Sequence, residues 1–152
     1  MPDGDHVVRH IPATMVDRDP NTNAVRGCFP QAFELRKNEE YLSTSWLEFF
    51  CGSFLECIAA VAAAMSKTRK IGPQHAFAVG NVGGVRAACA EYGMEVRILH
   101  EPNDDNPAYT AVRRYKSDEI ELLELLASDA WSRMVEAVQI RDIYGPWPGR
   151  VR

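Results

Sequence analysis

Gln74-His75-Ala76-Phe77-Ala78-Val79-Gly80-Asn81-Val82-Gly83-Gly84 is the stretch whose reading decides the fold. A short apolar run, Ala76 to Val79, gives way to glycines between Gly80 and Gly84. Asn81 is placed to cap a helix over Val82 to Tyr92, and Gly93 to stop it. A second apolar run from Val96 to Leu99 follows, opening into the polar loop His100-Glu101-Pro102-Asn103-Asp104-Asp105-Asn106-Pro107. Together these segments predict a β-α-β crossover. With its two strands as parallel neighbours, both following loops leave the same edge of the sheet. Gly80, Gly83 and Gly84 would then face Glu101 and Asn106 across a crevice. Amides at the helix start would favour an anion there. Glu101 falls about twenty residues after Gly80, where a dinucleotide-binding fold keeps its ribose carboxylate. The pattern is Gly-x-x-Gly-Gly rather than Gly-x-Gly-x-x-Gly, and a tight strand-to-helix turn explains it equally.

Upstream, His6 to Pro12 alternates β-branched and polar residues and predicts a strand ended by Pro12. Asp17 to Asn23 is turn chemistry, and a second strand is expected between Ala32 and Arg36. A strand begins at Tyr41 and hands over after Trp46. Ser53 and Glu56 have the spacing of a capping box for a helix running to about Met65. Lys67, Arg69 and Lys70 then sit where the helix dipole favours cations. Downstream, Ala111 and Val112 read as a last edge strand. From Ser117 or Asp118, apolar positions at helical spacing predict one long helix through about Ile140. The expected architecture is therefore α+β or mixed α/β: a single small sheet of four to five strands, about three helices and one β-α-β crossover. Residues 1–152 are expected to form one globular domain, with a tail over 141–152 that is either mobile or docked on a partner.

The chain has 152 residues, 46% of them hydrophobic and 25% charged, enough for a core without staples. A net charge of −4 makes nucleic acid an unlikely partner. Met1-Pro2-Asp3-Gly4-Asp5 is too acidic for a signal peptide, and Ile58 to Met65 is too short to span a bilayer. A soluble, cytoplasmic protein with no membrane association is expected. Cys28, Cys51, Cys57 and Cys89 lack metal-ligand spacing and read as buried thiols. Asp104 and Asp105 are adjacent on a loop and make a poor cation cage, so no metal is expected.

Candidate chemistry lies at the strand ends. His6, His10, His75 and His100 could supply an acid and a base; His10 and His100 are singled out because each closes a predicted strand beside a polar loop, and Ser43 lies on the middle strand. With Arg36 or Lys37 to hold phosphate, such histidines suit metal-independent, nuclease-like acid–base work. Trp46, Phe49, Phe50 and Phe54 are read first as core. Trp46, Trp131 and Trp147 are the candidates for contacts with a partner.

Two resemblances bear on function. Arg9, Ser43-Thr44-Ser45 and Glu119-Ile120-Glu121 are similar in type and order to the arginine, Ser-Thr-Ser and Glu-x-Glu motifs of arginine-type ADP-ribosyltransferases. That likeness implies that Arg9 and Ser43 hold NAD and that Glu121 assists transfer from the nicotinamide ribose. It departs from the family in that Glu119 and Glu121 open a predicted helix. Over most of its length the chain also resembles small uncharacterised bacterial proteins, through Arg9-His10-Ile11-Pro12, Gln31-Ala32-Phe33-Glu34-Leu35, Glu40-Tyr41-Leu42-Ser43, Phe77-Ala78-Val79, His100-Glu101-Pro102 and Asn106-Pro107-Ala108. Members of that group often carry histidine where Tyr109 stands here.

The leading expectation is a regulatory or accessory subunit acting through a protein partner, operon-encoded or a second copy, with no cofactor. The alternative is a small enzyme or nucleotide-binding domain, nuclease-like or ADP-ribosyltransferase-like. Its ligand would be NAD or another nucleotide, held at strand-end loops by Arg9, His10, Ser43, His100 and Asn106.

Overall fold

The computed structural model describes residues 1–144. Eight strands are seen: β1 (His6–Ile11), β2 (Val16–Arg18), β3 (Val25–Cys28), β4 (Leu42–Trp46), β5 (Ala76–Asn81), β6 (Arg97–His100), β7 (Tyr109–Arg113) and β8 (Arg133–Glu136). Four helices accompany them: α1 (Phe54–Met65), α2 (Val82–Glu91), α3 (Ile120–Leu125) and α4 (Ala137–Tyr144). Six strands form one sheet in the order β6-β7-β4-β1-β5-β8, and β2 with β3 makes a separate ribbon. Every pairing is antiparallel.

Alternation along the strands divides the core into two. Val7 and Ile11 of β1 join Ala76, Ala78 and Val112 on one face, under residues of α2 and α3. Val8 joins Phe77, Val79 and Val135 on the other, under α1 and α4. α1 is set by the anticipated capping box: the Ser53 hydroxyl accepts from the Glu56 amide while the Glu56 carboxylate accepts from the Ser53 amide. α2 begins where the Asn81 side chain accepts from the Gly84 amide, and the chain turns out of it at Gly93, φ +76°. None of the described helices is long and apolar enough to cross a membrane.

The single sheet of four to five strands with three helices is overturned by this larger sheet, its accessory ribbon and a fourth helix. The crossover fails for a specific reason. Both edges of β5 are already occupied, by β1 and by β8, so β6 cannot pair with it. β5 and β6 do run parallel, but β1, β4 and β7 lie between them, a separation of roughly 19 Å at the usual strand spacing. β7 is likewise no edge strand, being flanked by β6 and β4.

The long helix expected from Ser117 to Ile140 is broken. α3 ends after Leu125, a wide helical turn carries the chain to Ala130, and Arg133–Glu136 extends to pair with β5. Burial of Trp131 drives the break: it is 0% exposed, stacks on Phe33 at 4.9 Å and occupies the space a side chain at Gly80 would need. The strand expected over Ala32 to Arg36 is instead a short helical turn, Pro30–Phe33, with proline at its start fixing φ.

Candidate functional site: a cationic cleft between two central strands

The site begins with a defect in the ladder. β1 pairs with β5 along all six of its residues, but with β4 only at Val7–Trp46 and Val8–Ser45. Beyond Val8 the two strands part, and Arg9 fills the gap. Its Nε donates to the Ala32 carbonyl at 2.7 Å and its Nη1 to the Ser43 carbonyl at 2.8 Å. A side chain thus supplies the donors that a neighbouring strand would otherwise offer. Around this opening lies a cavity of about 420 Å³, walled by Arg9, His10, Arg36, Ser43, Thr68 and Arg69, with Glu34 and Glu39 also on its lining. A smaller compartment of about 80 Å³ continues from it, sharing His10, Ser43, Thr68 and Arg69 and adding Ser45, Asp105, Asn106 and Tyr109.

The two compartments differ in chemistry. The ion pairs seen among the described residues involve none of Arg9, Arg36 and Arg69. Desolvation lowers the pKa of the Arg9 guanidinium to about 10, so it stays charged at neutral pH. Desolvation, and then the charge of Arg36, also lowers that of Arg69. The smaller compartment keeps Arg69, adds the carboxylate of Asp105, and is otherwise lined mostly by uncharged polar groups, several of them bonded to one another. The Ser43 hydroxyl and the Tyr109 phenol are 2.7 Å apart, and the Asn106 amide donates to the Ser45 hydroxyl at 3.0 Å while its carbonyl oxygen accepts from the Ala108 amide. Burial is the main cause that raises the Tyr109 phenol above its ordinary range.

His10 stands where the compartments meet. Its Nε2 lies 2.8 Å from Nδ1 of His75, and its Nδ1 lies 3.4 Å from Nη1 of Arg69. Burial, followed by Arg69, His75, Arg9 and Arg36, pushes its pKa down to about 3. The ring is therefore neutral across the physiological range.

Of the residues singled out in the sequence, Arg9, His10, Arg36, Ser43 and Asn106 come together here, with Asp105 and Tyr109 on the smaller compartment. His100, Glu101 and the glycines do not. His100 donates from Nε2 to the Pro107 carbonyl at 2.7 Å and packs against Trp46 and Phe49. Gly80 lies inside β5 against Trp131. The amides of Val82 and Gly83 donate to the Asp5 and Asp3 carbonyls, and that of Gly84 is taken by Asn81, so the start of α2 offers no open anion site. Glu101 is held by the guanidinium of Arg113, with its Oε1 2.6 Å from Nη2. Gly80, Gly83, Gly84, Glu101 and His100 are engaged in these contacts and do not line the cleft. Glu119 and Glu121 are exposed at the start of α3 and line no part of the cleft.

Trp131 is a core residue and unavailable to a partner, Trp46 is half-buried with its indole donating to Asp5 at 2.9 Å, and Trp147 lies outside the described residues. The expected tail over 141–152 also falls largely outside them. Among the described residues no cluster of three or more His, Cys, Asp or Glu side chains is arranged to hold a metal ion. Cys28, Cys57 and Cys89 are buried as read, whereas Cys51 is exposed.

Sequence reasoning missed Arg69, taken as a helix-dipole cation, and read His75 only as one of four scattered histidines, not as the neighbour of His10. The run Lys67-Thr68-Arg69-Lys70 was the available signal, but nothing local says that Arg69 turns back toward β1. No family model matches the chain, and no match was found among curated proteins or solved structures.

Proposed function

We propose that the cleft binds a phosphate-bearing small molecule of the nucleotide class, which makes the chain a small nucleotide-binding domain or an enzyme built on one. The observation that carries this is a charge imbalance. Arg36 and Arg69 approach closely enough for one charge to oppose the other, over a cavity that Arg9 also lines; Glu39 offsets this in part, but none of the three arginines is in an ion pair seen among the described residues. A bound anion would relieve that repulsion, and guanidinium forks suit phosphate oxygens. The smaller compartment beyond, where Ser43, Asn106 and Tyr109 stand beside the carboxylate of Asp105, suits the uncharged polar part of the same ligand.

The likeness to ADP-ribosyltransferases supports NAD as one ligand to try. What supports its binding half is proximity: Arg9 donates to the Ser43 carbonyl on the strand that carries Ser43-Thr44-Ser45. Its transferring half has no such support, because Glu119 and Glu121 are elsewhere. The test is calorimetric titration with AMP, ADP, NAD and pyrophosphate in low-salt, phosphate-free buffer, beside thermal shifts. A ligand at 100 times its Kd should add about 2.7 kcal/mol to stability. Arg36→Gln with Arg69→Gln should abolish binding. If wild type shows no heat and no shift with any of the four at millimolar concentration, the proposal fails.

A further inference from the structure

The orientation of one imidazole narrows the class of ligand, given the phosphate-binding reading above. Arginine has donors only, so the Arg69 Nη1 contact at 3.4 Å requires His10 Nδ1 to be the acceptor. In the neutral ring the proton then sits on Nε2, which donates to Nδ1 of His75 at 2.8 Å. That second bond is short and ties the ring from behind. The ring also lies tilted on Phe77, with centroids 6.0 Å apart, which limits its rotation. His10 therefore presents a lone pair at the junction of the larger and smaller compartments.

The Arg69 contact is too long to satisfy that lone pair well. It would also loosen once the guanidinium turned to a phosphate. An anionic oxygen would be repelled by a lone pair, and an apolar group would leave it unsatisfied. A hydroxyl fits. We infer that His10 Nδ1 accepts a hydrogen bond from a hydroxyl of the ligand, so that the cleft selects sugar phosphates over phosphates lacking a hydroxyl beside the anion. His75 is a positioning residue, fixing the tautomer without touching ligand. Burial first, and then the charges of Arg69, Arg9 and Arg36, keep the imidazole from protonating and so preserve its role as acceptor.

Three probes test this: inorganic phosphate, ribose 5-phosphate and cyclopentylmethyl phosphate, which has a five-membered ring without hydroxyls. Titration into wild type should show ribose 5-phosphate binding about 3- to 10-fold tighter than cyclopentylmethyl phosphate, the range expected for one net hydrogen bond. His10→Phe should bring the ratio to about one while inorganic phosphate still binds. A second measurement needs no variant. In the ¹⁵N spectrum of wild-type histidines, the unprotonated Nδ1 of His10 should move on adding ribose 5-phosphate and stay when cyclopentylmethyl phosphate is added. Equal affinity for the two esters, or a His10 protonated on Nδ1, overturns this inference and leaves the phosphate site standing. If none of the three phosphates binds, the phosphate site falls and the inference with it.

Discussion

Acidification from pH 7 to pH 5 should cost the wild-type protein measurably more stability than it costs His10→Phe. The folded pKa of His10, about 3, lies below the ordinary 6.5, because burial and three guanidiniums oppose its protonation. Below pH 6.5 the unfolded chain therefore binds a proton that the folded chain refuses. Stability rises with pH through this window and is lost as pH falls from 6.5 toward 3. Over the full window the linkage amounts to about 4.8 kcal/mol, at 1.36 kcal/mol for each pH unit. Between pH 7 and pH 5 alone it is about 1.9 kcal/mol. That corresponds to a melting point lower by roughly 4–8 °C for a domain of this size. Carboxylates such as Asp19, Glu56 and Glu101 also have lowered pKa values and lose stability in acid, so the informative quantity is the difference between the two proteins. Scanning calorimetry of both, in acetate and MES buffers free of phosphate, measures it. Parallel curves for wild type and His10→Phe would refute the placement of this imidazole among the arginines.

Further expectations concern the packing around the cleft. Arg9→Met should destabilise the protein by about 2–4 kcal/mol in urea denaturation, since it leaves the Ala32 and Ser43 carbonyls without their donors. Loss below 1 kcal/mol would mean that β4 closes onto β1 instead. Gly80→Ala should cost at least about 1–3 kcal/mol, because its methyl carbon would come within 2.6 Å of the Trp131 indole nitrogen, and tryptophan fluorescence should report the displacement. Asn106→Ala should cost about 2 kcal/mol through the loss of its bonds to Ser45 and Ala108, and should lower affinity for any nucleotide that binds. Of the four cysteines, Cys51 alone should react rapidly with an aromatic disulfide in the native state. Cys28 and Cys89 are buried, with desolvation raising their thiols to about 11, and Cys57 is shifted in the same direction, so a fast count above one would contradict the core.

Signals confined to a few adjacent residues could be read in advance. The Ser53–Glu56 box, the Asn81 cap, the Gly93 stop and the strand ending at Pro12 need only nearest neighbours, and each is realised. Pairing was not legible, because it depends on contacts between segments far apart in the chain, as β8 with β5. Arg133 to Glu136 carries apolar residues that fit a helical stripe equally well, and the long-range demand of Trp131 for the space over Gly80 decides against the helix. The error at the centre followed from the same cause: glycines that suggest a ligand loop are there to admit an indole and the N-terminal segment. The cleft was half legible. Arg9, His10, Ser43 and Asn106 stood out by type, whereas His75 lies 65 positions from His10 and meets it only because β1 and β5 are paired.

The interruption between β1 and β4 has a mechanical corollary. Backbone bonds hold those strands together at one end, and at the other a lone guanidinium spans them. A molecule lodged there would act as the missing rung. Its arrival should slow amide exchange on His10 and Ser43 together, though they belong to different segments, and occupancy would be felt as a stiffening of the whole sheet.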